Sequence, residues 1–274
     1  MTINIKGNLL DLTSPLVMGI LNVTPDSFYD GGRYTTPEEA VVQTAKMLDE
    51  GASIIDIGAV STKPGNALIQ ADEEVDILKS IFQLVRAEFP KAIFSVDTYN
   101  AQTAYRLLDM GADMINDVSG GRWDSQLWQV VKSYQVPYIL THSKGTPTTM
   151  QQEAVYNNLL IEMNYYFSEN INKLHVSGIN DILIDVGFGF AKNLDQNYEL
   201  MNQLEVFHIH EKPLVVGVSR KSMVYKLLQT NPEDALIGSS VLHSVAIVKQ
   251  ASILRVHDVK EAMQVIRIVQ ALAD

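Results

Sequence analysis

Four oxygen-bearing side chains recur at or near the ends of short apolar runs: Asp56 in SIIDIG, Asp97 after IFSV, Asn116 after DMI and Asp185 after ILI. Carboxylate and amide oxygens accept hydrogen bonds, and one carboxylate can take two parallel N–H donors from an amidine-like edge. Gathered in one place, they would hold a flat polar ring rich in N–H groups. A second set is cationic. PLVVGV ends at Ser219 with Arg220 and Lys221 behind it, and ILRV carries Arg255 and ends at His257. Such a cluster suits a phosphate-like anion, with Ser219 as a candidate cap whose helix would add backbone donors. Each residue also has a plainer reading. A lone Asp at a strand end is as readily a helix cap, and Arg220 with Lys221 reads as solvated surface charge. Arg255 resists that reading, because an unpaired cation inside an apolar strand is costly.

The elements that must position these groups follow from the same runs. VMGIL ends at Asn22 and PYILT at His142, giving eight apolar runs separated by helical patterns. The runs are apolar nearly throughout, as in parallel strands covered on both faces. Eight right-handed βα units close into a (β/α)8 TIM barrel whose strand ends share one face, where the active site of such barrels lies. Phosphate sites in these barrels follow strands seven and eight, where the cations fall. An open doubly wound sheet would place a Gly-rich phosphate fingerprint after its first strand. NVTPDSFYDGG stands there instead. That loop and STKPGN are long, small and polar, suited to covering a site, although Pro-Asp and Pro-Gly are also ordinary turn formers. NIKGNLLDL before the first run reads as a hairpin turning at Gly7-Asn8 and closing the bottom of the barrel. Helices are expected from Pro37 to Gly51, Ala71–Phe89, Ala101–Met110, Asp124–Tyr134, Ala154–Val176, Asn197–Leu204, Lys221–Leu228, Pro232–Lys249 and Val259–Leu272.

Composition bounds the function. With 274 residues and no internal linker, the chain reads as a single domain over 1–274. Its net charge of −11 argues against nucleic acid and anionic membrane as partners, so an anionic ligand needs a local basic cluster. No cysteine is present, which removes disulfides and thiolate metal sites. No signal-peptide plan and no membrane-length apolar run is seen, so a cytoplasmic location is expected. His142-Ser143 has no triad arrangement, and the six histidines lack zinc spacing. His175, His208, His210 and His243 read as structural or solvated. Gly187-Phe188-Gly189-Phe190 reads as a turn that brings Phe188 or Phe190 to a ligand ring. Trp123 and Trp128 read as packing residues.

Guanine-type and pterin rings carry the edge that such carboxylates recognise. Taken in order, MGILNVTPDSFYDGG at Met18, DIGAVSTKPG at Asp56, SVDT at Ser95, INDVSGG at Ile115, THSKGTPTTMQ at Thr141, LIDVGFGFAKN at Leu183, VGVSRKS at Val216 and RVHDV at Arg255 resemble the dihydropteroate synthases. These are the folate-pathway transferases that sulfonamides inhibit. The resemblance covers nearly the whole chain. It implies a pterin-binding TIM barrel that condenses 6-hydroxymethyl-7,8-dihydropterin diphosphate with p-aminobenzoate, giving 7,8-dihydropteroate and pyrophosphate. Carried over by position, Asp97, Asn116 and Asp185 bind the pterin, and Lys221 contacts its ring and borders the aminobenzoate. Asn22, Arg255 and His257 hold the diphosphate, and Asn22 lies near a Mg2+ that neutralises it. Phe28, Thr62, Lys63, Pro64, Phe190 and Ser222 surround the aminobenzoate and the closing loops. Asp97, Asp185, Lys221, Arg255 and His257 are the implied catalytic set, and a homodimer is the implied assembly.

Three positions depart from the family pattern. Lys63 stands where Arg is usual, which keeps the charge and loses the planar fork. Val186 replaces a frequent Pro, and Ser143 replaces a frequent Met. Two alternatives remain. One is a methyltetrahydrofolate-type methyltransferase, which shares the pterin carboxylates but needs no diphosphate cluster. The other is a non-catalytic pterin-binding paralogue.

Overall fold

The computed structural model describes residues 1–23, 36–59 and 68–273. Eight parallel strands form a closed barrel: β3 (Leu16–Asn22), β4 (Ile54–Gly58), β5 (Ile93–Asp97), β6 (Met114–Asp117), β7 (Tyr138–Thr141), β8 (Ile182–Asp185), β9 (Leu214–Val216) and β10 (Ile253–Val256), with β10 pairing back onto β3. This is the expected (β/α)8 barrel. Its strands are preceded by a two-stranded antiparallel hairpin, β1 (Thr2–Ile5) and β2 (Asn8–Asp11). The turn is Lys6-Gly7 rather than Gly7-Asn8, because Asn8 already pairs with Ile5. Both turn residues have positive φ, 50° and 89°, the geometry that matches strand twist in a two-residue hairpin.

The hairpin plugs the lower end. Ile3, Ile5 and Leu12 pack in one buried cluster with Met18, Ile54, Met114, Ile139, Leu183, Val215 and Ile253, the lower inward residues of seven barrel strands. The outward residues of the barrel strands, such as Ile55, Ile57, Val96, Leu140 and Ile184, form a separate core beneath the helices. Strand alternation therefore sends one set to the helices and the other to the barrel axis.

The helices are α1 (Pro37–Glu50), α2 (Ala71–Glu88), α3 (Ala101–Asp109), α4 (Leu127–Tyr134), α5 (Leu159–Val176), α6 (Leu194–Asn202), α7 (Ser222–Leu227), α8 (Leu236–Val248) and α9 (Val259–Ala273). The starts of α1, α2, α3 and α9 fall where expected, whereas those of α4, α5 and α6 shift with local side-chain hydrogen bonds. Asp124 does not lie in α4; its carboxylate accepts from Gln126 N and from Ala101 N at the start of α3. Residues 154–158 are not helical, since the Asn158 side chain accepts from Ile161 N and fixes the start of α5. A capping box at Asn193 and Gln196 starts α6 early, and a 3-10 segment, Leu204–His210, follows it. Among the described residues no helix is long and apolar enough to cross a membrane.

Candidate active site at the upper end of the barrel

One inward step above the apolar layer the barrel turns polar. Asp56 lies two residues past Ile54 on β4, Asn116 two past Met114, Asp185 two past Leu183 and Arg255 two past Ile253. Arg255 is the hub. Its Nε donates to Asp56 Oδ2 at 2.6 Å and its Nη2 to Asp97 Oδ2 at 2.6 Å. Asn116 Nδ2 donates to the same Asp56 oxygen at 3.0 Å. The strand register makes these meetings possible, since Asp97 sits beside Asn116 on the neighbouring strand. Asp56 Oδ1 is buried without a hydrogen-bond partner among the described residues. Burial opposes Arg255's charge, but Asp56 and Asp97 outweigh it and raise its pKa above the ordinary value.

Burial also raises the acids. It pushes the Asp97 carboxyl up to about 7, against the opposing pull of Arg255. It raises Asp185 as well, with Lys221 and the Gly187 N–H acting the other way. Asp185 Oδ1 accepts from Gly187 N at 2.7 Å. Gly187 has φ +67°, and a Cβ there would collide with the His142 carbonyl oxygen. Glycine is required for that close approach. Gly217, just past β9, would aim a Cβ between Arg255 and Asp185, 3.9 Å from Arg255 Cδ and from Asp185 Oδ2. A side chain there would fill the space between the cation and the carboxylate.

Lys221 precedes α7 and donates from Nζ to Phe188 O at 2.6 Å, with Nζ 4.5 Å from the Phe190 ring centroid. Burial lowers its pKa to about 8, although Asp185 favours the charged form. Phe190 is half-buried beside this ammonium, whereas Phe188 is fully buried in the outer core. Of the two rings in the turn, Phe190 is the one placed at the site.

Arg220 does not join the cationic cluster. It makes a two-point pair with Asp258, 2.9 and 2.8 Å, and donates to Pro232 O and Glu233 O. Ser219 is not a helix cap either. Its Oγ meets His257 N at 3.2 Å and His257 Nδ1 at 3.1 Å, tying the ends of β9 and β10 together. Lys221 is the residue before α7, which has no side-chain cap. Asn22 is the half-buried last residue of β3, and Ser222 the half-buried first residue of α7. Phe28, Thr62, Lys63 and Pro64 lie outside the described residues. Ser143, where Met is frequent in the resembled family, is buried and polar in its contacts. Its Oγ donates to Val118 O and accepts from Arg122 Nη2 at 2.6 Å. Trp123 and Trp128 have packing roles with a polar tie each, Trp123 Nε1 to Gly145 O and Trp128 Nε1 to Tyr138 Oη.

Among the buried charged residues that escaped the sequence reading, Glu74 and Lys192 brace loops of the site. Glu74 on α2 accepts from Thr98 Oγ1 and Asn100 Nδ2, bracing the loop directly after Asp97. Its signal was present, since Glu74 falls in phase with Leu78, Ile81 and Val85 on the buried face of α2. Lys192, only 2% exposed, sits beneath the Gly187–Phe190 turn. Its sequence setting, FAKN, gives no comparable phase.

Comparison with known proteins now bears on this pocket. The model of the pterin binding enzyme family matches residues 18–257. The chain is 40% identical over 268 residues to the dihydropteroate synthase of Escherichia coli strain K12, covering 97% of this chain and 94% of that protein. The chain belongs to the dihydropteroate synthase family. It is therefore an enzyme, a transferase of the pterin-binding barrels. A crystal structure of Yersinia pestis dihydropteroate synthase with a sulfonamide drug aligns with a TM-score of 0.95 at 39% identity, over 100% of this chain and 99% of that one. The Xanthomonas albilineans dihydropteroate synthase with 4-aminobenzoic acid aligns with a TM-score of 0.90 at 33% identity, over 99% and 98%.

Proposed function

We propose that this pocket joins 6-hydroxymethyl-7,8-dihydropterin diphosphate to p-aminobenzoate, releasing pyrophosphate. The carrying observation is the polar layer itself. Asp97, Asn116 and Asp185 bring acceptor oxygens to one level of the barrel, beside the Arg255 hub and the Lys221 ammonium. The acceptors suit the N–H-rich edge of a pterin, with Asp185 facing its guanidine-like side. Arg255, His257 and Asn22 suit the diphosphate, and Lys221 lies between the two parts.

In the reaction the bond from the pterin's exocyclic methylene carbon to the diphosphate oxygen breaks, and its electron pair leaves with pyrophosphate. The amine lone pair of p-aminobenzoate forms the new C–N bond, and that nitrogen then loses a proton to water. Positive charge grows on the pterin as it departs, which the carboxylates of Asp97 and Asp185 stabilise. Negative charge grows on the pyrophosphate, which Arg255 and His257 stabilise. An aromatic amine is already a nucleophile, so the site needs no strong base. Phe190, Ser222, Phe28, Thr62, Lys63 and Pro64 are assigned to the aminobenzoate side.

Asn22 offers a hard amide oxygen with no hydrogen bond from the described residues, a fitting ligand for Mg2+, which characteristically binds one or two protein oxygens together with substrate phosphates. Bound there, the ion would neutralise the diphosphate and ease its departure. We assign the chain to one barrel domain over 1–274, a cytoplasmic location and a homodimer. Ile237, Val241 and Val248 on α8, with Ile268 and Leu272 on α9, leave an apolar face exposed that supports self-association.

The test is pyrophosphate release from the purified protein given Mg2+ and pterin diphosphate, with and without p-aminobenzoate. Release that requires p-aminobenzoate and yields dihydropteroate supports the assignment. Bound pterin diphosphate with no turnover would overturn it in favour of a non-catalytic binder.

A further inference from the structure

The ammonium of Lys192 is buried among acceptors. Its Nζ lies 3.0 Å from Gly187 O, 3.0 Å from Phe190 O, 3.3 Å from His142 O and 3.1 Å from His142 Nδ1. Three of these four partners are carbonyl oxygens, which can only accept, so the amine must donate to them. Each end of the turn it gathers serves the site. Gly187 N donates to Asp185, Phe188 O receives Lys221, and Phe190 lies under the Lys221 ammonium.

We propose that Lys192 is a positioning residue for the pterin side of the site: it clamps the 187–190 turn onto the end of β7 and so sets Asp185 and Lys221. This rests on the function proposed above. Burial pushes the Lys192 amine well below the ordinary lysine range, and its donors are spent on the carbonyl oxygens that can only accept. Burial and the nearby Lys192, Arg122 and Lys144 hold His142 in its neutral form. The group does not touch the reacting atoms in this role. Its effect passes through Asp185 and Lys221.

Lys192→Met keeps the length of the side chain and removes the donors. It should raise KM for pterin diphosphate on the order of ten-fold and KM for p-aminobenzoate by less, the latter through Phe190, whose carbonyl Lys192 holds. Tyr156→Phe is the comparator, because it removes a different tie to the same segment, the Tyr156 hydroxyl to Ala191 O. It should lower the melting temperature and leave both KM values near wild type. A Lys192→Met protein that melts earlier yet keeps both KM values would overturn the proposal. Should that variant not fold, Lys192→Gln decides it, because it keeps an N–H donor group on a shorter side chain. It should raise KM for pterin diphosphate by a few-fold, and an unchanged KM in Lys192→Gln would overturn the clamp. Pterin diphosphate affinity measured by calorimetry keeps the two readings apart. Wild type that binds without turnover sinks the proposed function, and Lys192 is then judged on the affinity of its Met variant.

Discussion

Leu183 and Asp185 sit two residues apart on β8, both facing the barrel axis, and they belong to different worlds. Leu183 is packed with the hairpin residues Ile3, Ile5 and Leu12. Asp185 is buried too, yet its Oδ2 accepts from no described residue. The same step separates Ile54 from Asp56, Met114 from Asn116 and Ile253 from Arg255. Both layers are built by the same strands, so the difference lies in what closes each end. Below, a hairpin supplies apolar side chains. Above, inward positions carry polar and charged groups that find partners in each other, as Arg255 does in Asp56 and Asp97. A barrel thus separates stability from chemistry by one turn of strand alternation.

The sharpest way to break this comparison is to remove the upper layer's hub. Arg255→Met leaves Asp56 and Asp97 without their shared cation. It should lower kcat/KM for pterin diphosphate by about 100- to 1000-fold, the scale for losing one group aimed at developing charge. Steady-state kinetics at saturating p-aminobenzoate would read it. A loss below ten-fold would mean that Arg255 serves the fold alone.

The matched experiment below is Leu183→Ala. It should destabilise the protein by about 3 kcal/mol through the cavity it leaves, measured by denaturant unfolding. Its KM for pterin diphosphate should stay near wild type. If that KM rose as far as in an Asp185 variant, the two layers would not be separable. Asp185→Asn should act in reverse, weakening pterin binding by about 1–3 kcal/mol, because an acceptor becomes a donor facing N–H groups. Its unfolding midpoint should change less than that of Leu183→Ala. Near-normal pterin affinity would remove Asp185 from the ring-binding role.

These contrasts also explain what could be read from the sequence. The barrel was legible because its strands are apolar on both faces and end at polar residues one after another. The acceptors Asp97, Asn116 and Asp185 were legible for the same reason. Partner choice was not. Arg220 and Arg255 both follow or lie in late strands, but only Arg255 points inward on a strand, while Arg220 meets Asp258 across 38 residues of sequence. Ser219 looked like a cap and became the partner of His257, because the neighbouring strand end competes for it. Asp124 and Asn158 moved helix starts by capping, which composition windows do not resolve. Lys192 was invisible because its partners are backbone carbonyls, two of its own loop and one just past β7, together with the His142 ring.

Titration tests the upper layer with a smaller effect. The Asp97 carboxyl ionises at about 7 in the folded protein, raised from 3.8 mainly by burial. The folded state therefore holds this proton more tightly than the unfolded chain. The resulting contribution to stability is fully present below about pH 4 and is lost as pH rises through about 7. Lys221 has the opposite sign, being pushed down to about 8, so its contribution is lost as pH falls through about 8. Between pH 4 and 7, wild type should lose more stability than Asp97→Asn in parallel unfolding titrations. Equal slopes would show that Asp97 titrates as an ordinary surface acid.

The smallest effect is expected from Lys63, in the loop whose STKPGN sequence follows β4. If the upper layer already holds the charges that the chemistry needs, the loop adds a cation whose shape matters little. Lys63→Arg restores the planar fork and keeps the charge, so turnover should be unchanged or modestly improved. KM for each substrate, measured on both proteins, separates the contributions. A gain confined to pterin diphosphate would mean that the loop completes the diphosphate site. A large loss would give Lys63 a fit of its own that a guanidinium cannot make, and the boundary of the catalytic layer would then extend from the strand ends into the loop.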